Sequence, residues 1–202
     1  MTPGRARGRP RSAECRDAVL KAAMELIQED DLRKVSVDRI SARSGVSTAT
    51  IYKWWPNKTA VIIEAFLHQM MVDAPVADTG SAAEDFRLTL RGLMRFYGSP
   101  LGAIYQQLVG EAQFNPTERE RIRIRLVNVR RAAFRKIWDR GVARGELDPN
   151  VDPEVALGLI FGPAMYRRLT AHAELTPADA DAIVATAMRA LARPSVGAGQ
   201  TP

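Results

Sequence analysis

The residues best suited by type and spacing to chemistry lie within residues 36–58, and that chemistry is hydrogen bonding. Ser47, Thr48, Ala49 and Thr50 begin a predicted helix with small side chains, three of which carry hydroxyl groups. Small groups let a helix backbone approach the edges of DNA bases, and the methyl group of threonine fits thymine. We therefore expect this short run to lie beside bases in the major groove.

Larger polar groups follow, and these are typical of phosphate contacts. Tyr52 and Lys53 come directly after the hydroxyl run, and Trp54, the next residue, completes the candidate DNA-binding residues of this helix. Lys58 begins the next predicted helix, where backbone N–H groups also attract a phosphate. Ser36 is predicted to cap the first helix of the segment and to donate to a phosphate as well.

Two short helices must position these groups. The first is expected to begin after Ser36 and to end at Gly45, and the second is expected to begin at Ser47 and to stop before Pro56. The predicted inward residues are Val37, Ile40, Val46, Ile51 and Trp55. The layout is that of a helix-turn-helix, whose second helix enters the major groove.

The rest of the chain also reads as helical, and no strand signal stands out. The predicted fold class is all-α, with about nine helices: an N-terminal three-helix DNA-binding domain and a larger C-terminal helical domain. Ser81 and Glu84 are expected to form a capping box, and one long helix is expected from Asn115 to about Arg144. The predicted organisation is a flexible basic arm (1–11), a DNA-binding domain with its linking helix (12–72), a C-terminal domain (81–193) and a disordered tail (194–202).

Charge and composition favour a soluble, DNA-binding protein. The 202 residues carry a net charge of +6 with 46% hydrophobic residues, and residues 1–58 hold 12 Lys/Arg against 7 Asp/Glu. No apolar run approaches the roughly 20 residues of a membrane span, and no secretory signal is visible. With the single cysteine, Cys15, these features predict a cytoplasmic protein without an internal disulfide and without a membrane partner.

Two further basic regions have competing interpretations. Arg9 lies in Gly8-Arg9-Pro10, which is similar to the core of an AT-hook and predicts a minor-groove contact; the alternative is a solvated tail. Residues 119–144 are also basic, but apolar residues recur through them at helical spacing. This spacing predicts a core-forming helix with a charged outer face. The predicted inward residues are Ile122, Leu126, Val129, Phe134, Ile137, Trp138 and Val142.

The segment up to Lys58 resembles the DNA-binding domain of the tetracycline-repressor (TetR) family. The residues that carry the resemblance are Ile40, Gly45-Val46-Ser47, Ala49, Ile51-Tyr52, Trp55, Pro56 and Lys58. The departures are Ser41 and Ser44, where that family usually has alanine, Ala49, where glycine is common, and Trp54, where histidine is common. The resemblance covers about residues 12–62 and implies an all-helical dimer that binds operator DNA and releases it when a small molecule binds the C-terminal domain.

The C-terminal helices are interpreted in that light. Residues 155–169 are apolar nearly all round, so the last two helices are expected to form a dimer interface; the alternative is one buried helix in a monomer. The ligand is expected to be largely apolar and is otherwise unknown. The candidate pocket residues are Leu93, Phe96, Tyr97, Tyr105, Leu108, Phe114, Phe134, Trp138, Phe161 and Tyr166.

Enzymatic function is not predicted. His68 and His172 are far apart and lack ligand-spaced cysteines or carboxylates, so neither a metal site nor a catalytic site is expected, and no cofactor is implied. A ligand carrier or enzyme whose helix-turn-helix no longer binds DNA remains the alternative class. The regulator is expected to be a repressor at a palindromic operator; activation is left open, because the sign of regulation depends on operator position.

Overall fold

The computed structural model describes residues 10–29 and 32–193, with side chains from Ala13 onward. Within these ranges the fold is all-α, as predicted, and it has nine helices if α7 and α8 are counted as one. The predicted arm up to Arg9 and the tail from residue 194 lie outside the described residues. The helices are α1 (Pro10–Glu29), α2 (Val37–Ser44), α3 (Thr48–Trp54), α4 (Lys58–Asp73), α5 (Ala82–Gly98), α6 (Pro100–Ala112), α7 (Pro116–Ile122), α8 (Asn128–Ala143), α9 (Pro153–Thr170) and α10 (Pro177–Leu191).

Most helix ends are set by local capping chemistry. Asn115, Asp152 and Thr176 accept hydrogen bonds from backbone N–H groups in the first turns of α7, α9 and α10. Helix α1 begins at Pro10, two residues before the predicted start of the DNA-binding domain at residue 12. A proline suits the first position of a helix because its missing N–H has no helical partner there.

The capping box predicted at the start of α5 is wrong. The Ser81 side chain makes no capping hydrogen bond, and Glu84 instead binds Arg87, which donates from Nε at 2.6 Å. The first turn is satisfied from a distant residue, because the backbone N–H of Ala82 donates to Glu146 Oε2 at 2.6 Å. A carboxylate 64 residues away thus replaces the local cap.

The described residues divide into two compact units. The first takes the chain up to Met70 together with Glu111–Leu126, and the second takes Met71–Gly110 and the chain from Val127 onward. The first change of unit, between Met70 and Met71, is close to residue 72, where the predicted DNA-binding domain ends. The assignment of Glu111–Leu126 to the first unit differs from the predicted domain of residues 81–193.

In the first unit, α1 packs against α2, and α2 packs against α3. Each helix turns its apolar face inward; the fully buried residues include Val19, Ala23, Ile40, Ile51, Val61, Ala65 and Phe66. Arg43 at the end of α2 donates to both Glu29 carboxylate oxygens, at 2.9 and 2.8 Å, which joins α2 to α1. These contacts hold α1 and α2 together, and α3 packs against α2.

In the second unit, α5 packs against α8, α9 and α10 in a helical bundle. Its centre is aromatic: the rings of Phe134 and Phe161 are stacked with centroids 3.7 Å apart, and Phe86 meets Phe161 edge to face at 6.1 Å. Offset and edge-on ring pairs stabilise a core beyond their burial alone. No helix in the described ranges has the length and apolar character needed to cross a membrane.

The long helix predicted over residues 116–144 is interrupted by one π-helical turn at Arg123–Val127. A π turn forms i→i+5 hydrogen bonds in place of the i→i+4 bonds of an α-helix. Val129, predicted to face the core, is 44% exposed, whereas its neighbour Arg130 is only 5% exposed. The prediction for Val129 is therefore wrong, and a charged residue takes the inward position.

Candidate nucleic-acid interface

The helix-turn-helix predicted from the sequence is confirmed in its local geometry. Ser36 caps α2, its Oγ accepting from Arg39 N at 3.2 Å, and Ser47 caps α3, its Oγ accepting from Thr50 N at 3.3 Å. Gly45 ends α2 with φ +70°, a left-handed conformation that favours glycine. Only residues 45–47 separate the two helices, so their angle is tightly constrained.

Helix α3 is amphipathic in the manner required of a reading helix. Ile51 is fully buried and Trp55, which follows the helix, is buried as predicted. Ala49, Tyr52 and Lys53 are exposed on the other side. The exposed side is therefore free to meet a partner.

The predicted base-reading residues lie together at the start of α3, but two of their hydroxyls are already engaged. Ser47 Oγ and Thr50 Oγ1 share a hydrogen bond of 2.9 Å, and Ser47 Oγ also caps the helix. Thr48 is half-buried and Ala49 is exposed. The Thr48 hydroxyl takes no part in the hydrogen bond between Ser47 and Thr50, and the Ala49 methyl group is exposed.

The predicted phosphate-binding residues differ in availability. Tyr52 is 54% exposed and Lys53 is exposed, whereas Trp54 packs edge-on against Trp55 with ring centroids 5.4 Å apart. Lys58 Nζ donates to the backbone carbonyls of Val35 at 3.0 Å and Arg33 at 3.4 Å. Lys58 therefore ties the start of α4 to the segment before α2, a role that the sequence did not indicate. Arg9 lies outside the described residues.

Glu64 on α4 is a positioning residue that sequence reasoning missed. Its Oε2 accepts from Trp55 Nε1 at 2.8 Å, and its Oε1 accepts from Arg16 Nε at 2.7 Å. One carboxylate thus joins α1, α4 and Trp55, the residue that follows α3. Because Arg16 is 48 residues away along the chain, no local sequence signal reveals this link.

We predict that Glu64→Ala lowers the free energy of unfolding by about 1–3 kcal/mol, because the buried indole N–H of Trp55 loses its acceptor. DNA affinity should fall as well, since α3 loses a contact at its end. Thermal unfolding by circular dichroism and DNA binding by fluorescence anisotropy test this. Glu14→Ala, on the exposed side of α1, is the matched control; equal effects in both variants would contradict the positioning role.

The predicted pocket residues fall into two groups in the structure. Eight of them are buried in the second unit: Leu93, Phe96, Tyr97, Tyr105, Leu108, Phe134, Trp138 and Phe161. Phe114 is 92% exposed and belongs to the first unit, and Tyr166 is 62% exposed. Phe114 lies in the turn between α6 and α7, and Tyr166 lies on the outer side of α9. Neither residue therefore lines the interior, and both assignments are corrected.

A surface groove of about 430 Å³ lies elsewhere, on the first unit. It is lined by Pro116, Thr117, Glu120, Arg121, Ile124 and Arg125. None of the predicted pocket residues contributes to it. Arg119, Arg123 and Arg125 are exposed, which agrees with a solvated outer face for this basic stretch.

Comparison with known proteins accounts for both parts of the chain. The family described as "Bacterial regulatory proteins, tetR family" matches residues 19–65, which contain the helix-turn-helix. The family described as "Tetracyclin repressor-like, C-terminal domain" matches residues 76–187, more than half of the chain. The chain belongs to the TetR family. It is therefore a DNA-binding transcriptional regulator, and this family is a non-enzymatic class.

Individual TetR-family proteins are similar to this chain along most of its length. The chain is 41% identical over 163 residues to the uncharacterized HTH-type transcriptional regulator YdeS of Bacillus subtilis, covering 81% of this chain and 82% of that protein. It is 28% identical over 190 residues to a DNA-binding transcriptional repressor TetR of Mycobacteroides abscessus, covering 94% and 97%. The crystal structure of the TetR-family regulator SCO0332 superposes with a TM-score of 0.79 at 28% identity, covering 87% of this chain and 97% of that one.

Proposed function

We propose that the protein is a homodimeric repressor that binds a palindromic operator and leaves it when a small, largely apolar ligand binds the second unit. The observation that carries the proposal is the exposed side of α3. Ser36 caps α2, Ser47 caps α3, and the inner side of both helices is buried. Two such helices, related by the symmetry of a dimer, fit half-sites roughly 34–36 Å apart. The similarity to a repressor supports the sign of regulation.

Within this proposal the residues of α3 divide into two roles. Thr48, Ala49 and Thr50 face base edges, where small groups let the backbone approach closely. Tyr52, Lys53 and Trp54 contact the flanking phosphates, where their contribution does not depend on sequence. Ser36, Ser47 and Lys58 support the phosphate contacts from the helix starts, in addition to their contacts within the protein.

We propose that the dimer forms through α9, flanked by α10. Large apolar side chains of α9 are exposed at helical spacing: Val155, Leu159, Tyr166 and Leu169. Gly158 and Gly162 lie on the same side, and no atom would come within 4 Å of a Cβ at either position. Because glycine has no Cβ, these two positions allow a second helix to approach closely.

Helix α10 contributes a flatter surface beside this stripe. Its larger apolar residues, including Val184 and Leu191, are buried within the unit. Its outer residues are mostly small, for example Ala182, Ala185 and Ala190. The apolar stripe of α9 therefore supplies most of the area that a partner would cover, and an open stripe of this kind marks an interaction site.

We expect Lys53→Ala to weaken binding to all DNA sequences alike and to lower the slope of log affinity against log salt by about 1. Lys53 is exposed, whereas Lys58 also holds two carbonyls, so Lys53 is the cleaner test of a phosphate contact. Thr48→Ala should instead change which sequences are preferred. Anisotropy titrations with DNA from upstream of the gene, together with selection of bound sequences from a random pool, measure both.

Lys136→Ala is the matched control, because this exposed lysine lies on α8 in the second unit. It should leave the sequence preference and the salt slope close to those of the wild type. If Lys53→Ala changed preference and Thr48→Ala weakened all sequences alike, the two roles would be wrongly assigned. If the wild type bound no DNA at low salt, the proposed function itself would fail.

A further inference from the structure

Arg130 on α8 is a buried cation that has no acidic partner within the described part of the chain. It is 5% exposed, its Nη2 donates to the carbonyl of Ala74, and its Nη1 lies 3.3 Å from the sulfur of Met71. Its Nε has no hydrogen-bond partner among the described residues. Arginine is almost never fully buried unless it is paired, because removing its charge from water costs free energy.

The other fully buried charge of this unit shows the usual solution. Asp85 has no exposed surface, and it accepts hydrogen bonds from Thr79 and from Arg140, whose Nη2 lies 3.1 Å away. Its charge is thus balanced within the protein. Burial lowers the pKa of Arg130 to about 10, so its guanidinium remains charged at neutral pH without such a partner.

Aromatic groups surround this charge. The guanidinium lies over the ring of Phe134, 4.7 Å from its centroid, and Phe134 stacks on Phe161. Tyr97 lies in the neighbourhood of this charge, and its ring lies beside that of Tyr105 with centroids 5.2 Å apart. Burial raises the pKa of Tyr105 to about 12 and that of Tyr97 well above its ordinary value. Both hydroxyls therefore stay neutral and do not repel an anion.

We infer that Arg130 binds the carboxylate of a small, otherwise apolar effector inside the second unit. A few convergent polar groups within an apolar, aromatic interior are typical of a ligand site. The planar guanidinium can donate two parallel hydrogen bonds to a carboxylate, and its unpartnered Nε lies on one such edge. The rings of Phe134 and Tyr97 then contact the apolar body. This inference rests on the proposed ligand-responsive function and names the chemical class of the ligand.

Matched pairs of compounds test the charge requirement on the wild-type protein. Straight-chain and aromatic carboxylic acids are compared with the primary alcohols of the same carbon skeleton, at neutral pH. Binding is followed by tryptophan fluorescence, since Trp138 is buried in this unit, and operator release is followed by anisotropy. At least one acid should bind about tenfold or more tightly than its alcohol and release the DNA. If no acid binds, or if each alcohol binds as tightly as its acid, the inference is overturned.

Variants then assign that preference to one side chain. Arg130→Gln should bind operator DNA as the wild type does, but should lose the preference for the acid to within about threefold, since the charged donor is gone. Arg130→Lys should retain part of the preference. Arg135→Gln, at an exposed position on the same helix, should retain all of it. A full preference in a folded Arg130→Gln variant would overturn the inference.

The possible outcomes distinguish a failure of this inference from a failure of the proposed function on which it rests. Circular dichroism shows whether each variant is folded, and if Arg130→Gln does not fold, the matched pairs and Arg130→Lys still decide. If alcohols release the operator and acids do not, only the inference fails. If the wild type binds no DNA, or if every compound that binds leaves the operator complex intact, the proposed function fails first.

Discussion

Leu159→Glu is expected to convert the dimer to a monomer and to lower operator affinity by about 100-fold or more, because two linked reading heads bind far more tightly than one. Leu159 lies in the middle of the exposed apolar stripe of α9 and is 51% exposed in the single chain. A glutamate there would place two carboxylates near each other in an apolar interface. Light scattering coupled to size exclusion measures the assembly, and anisotropy measures the affinity.

Leu88→Glu is the matched control for this prediction. Leu88 is also a partly exposed leucine of the second unit, but it lies on α5 and is not part of the stripe of α9. This variant should remain dimeric and bind the operator. A dimeric Leu159→Glu variant with unchanged affinity would show that α9 is not the interface.

Asp85→Ala should lower the free energy of unfolding by about 3 kcal/mol, because the Thr79 backbone N–H, the Thr79 hydroxyl and Arg140 lose a fully buried acceptor, although Arg140 keeps its ion pair with Asp78. Asp85 accepts from the backbone N–H of Thr79 at 2.6 Å, from its hydroxyl at 2.8 Å and from Arg140. The loss should appear as a fall of about 10 °C in the melting temperature at a fixed protein concentration. The α4–α5 connection should also become more sensitive to protease.

Asp181→Ala provides the comparison, since Asp181 pairs with Arg87 and Arg91 at the protein surface. Solvent-exposed ion pairs contribute little to stability, so this variant should melt close to the wild type. Equal melting temperatures for the two variants would mean that the burial of Asp85 does not increase the contribution of its contacts to stability.

The helix-turn-helix could be predicted almost completely because its determinants are local. The caps at Ser36 and Ser47, the left-handed glycine at Gly45 and the buried Ile51 and Trp55 all follow from residue type and spacing within about twenty residues. The roles of individual contact residues are less local. Lys58 has carbonyl partners more than twenty residues away, and these depend on how the chain folds back.

The second unit was less predictable because its decisive contacts join distant segments. Periodicity placed Val129 inward, but Arg130 takes that position and contacts Met71 and Ala74, which lie more than fifty residues away along the chain. The failed cap at Ser81 has the same origin, since Glu146 satisfies the first turn of α5 from far along the chain. Phe114 and Tyr166 were assigned to the pocket by residue type alone, which does not reveal the face on which a side chain lies.

The open stripe of α9 has a consequence for gene dosage. If chains are scarce and mostly unpaired, the number of dimers varies with the square of the number of chains, so doubling synthesis raises it about fourfold. Operator occupancy then responds more steeply to expression level than it would for a regulator that acts as a single chain. If the proposed function holds, the amount of protein made, as well as the presence of an effector, would set how strongly the target gene is repressed.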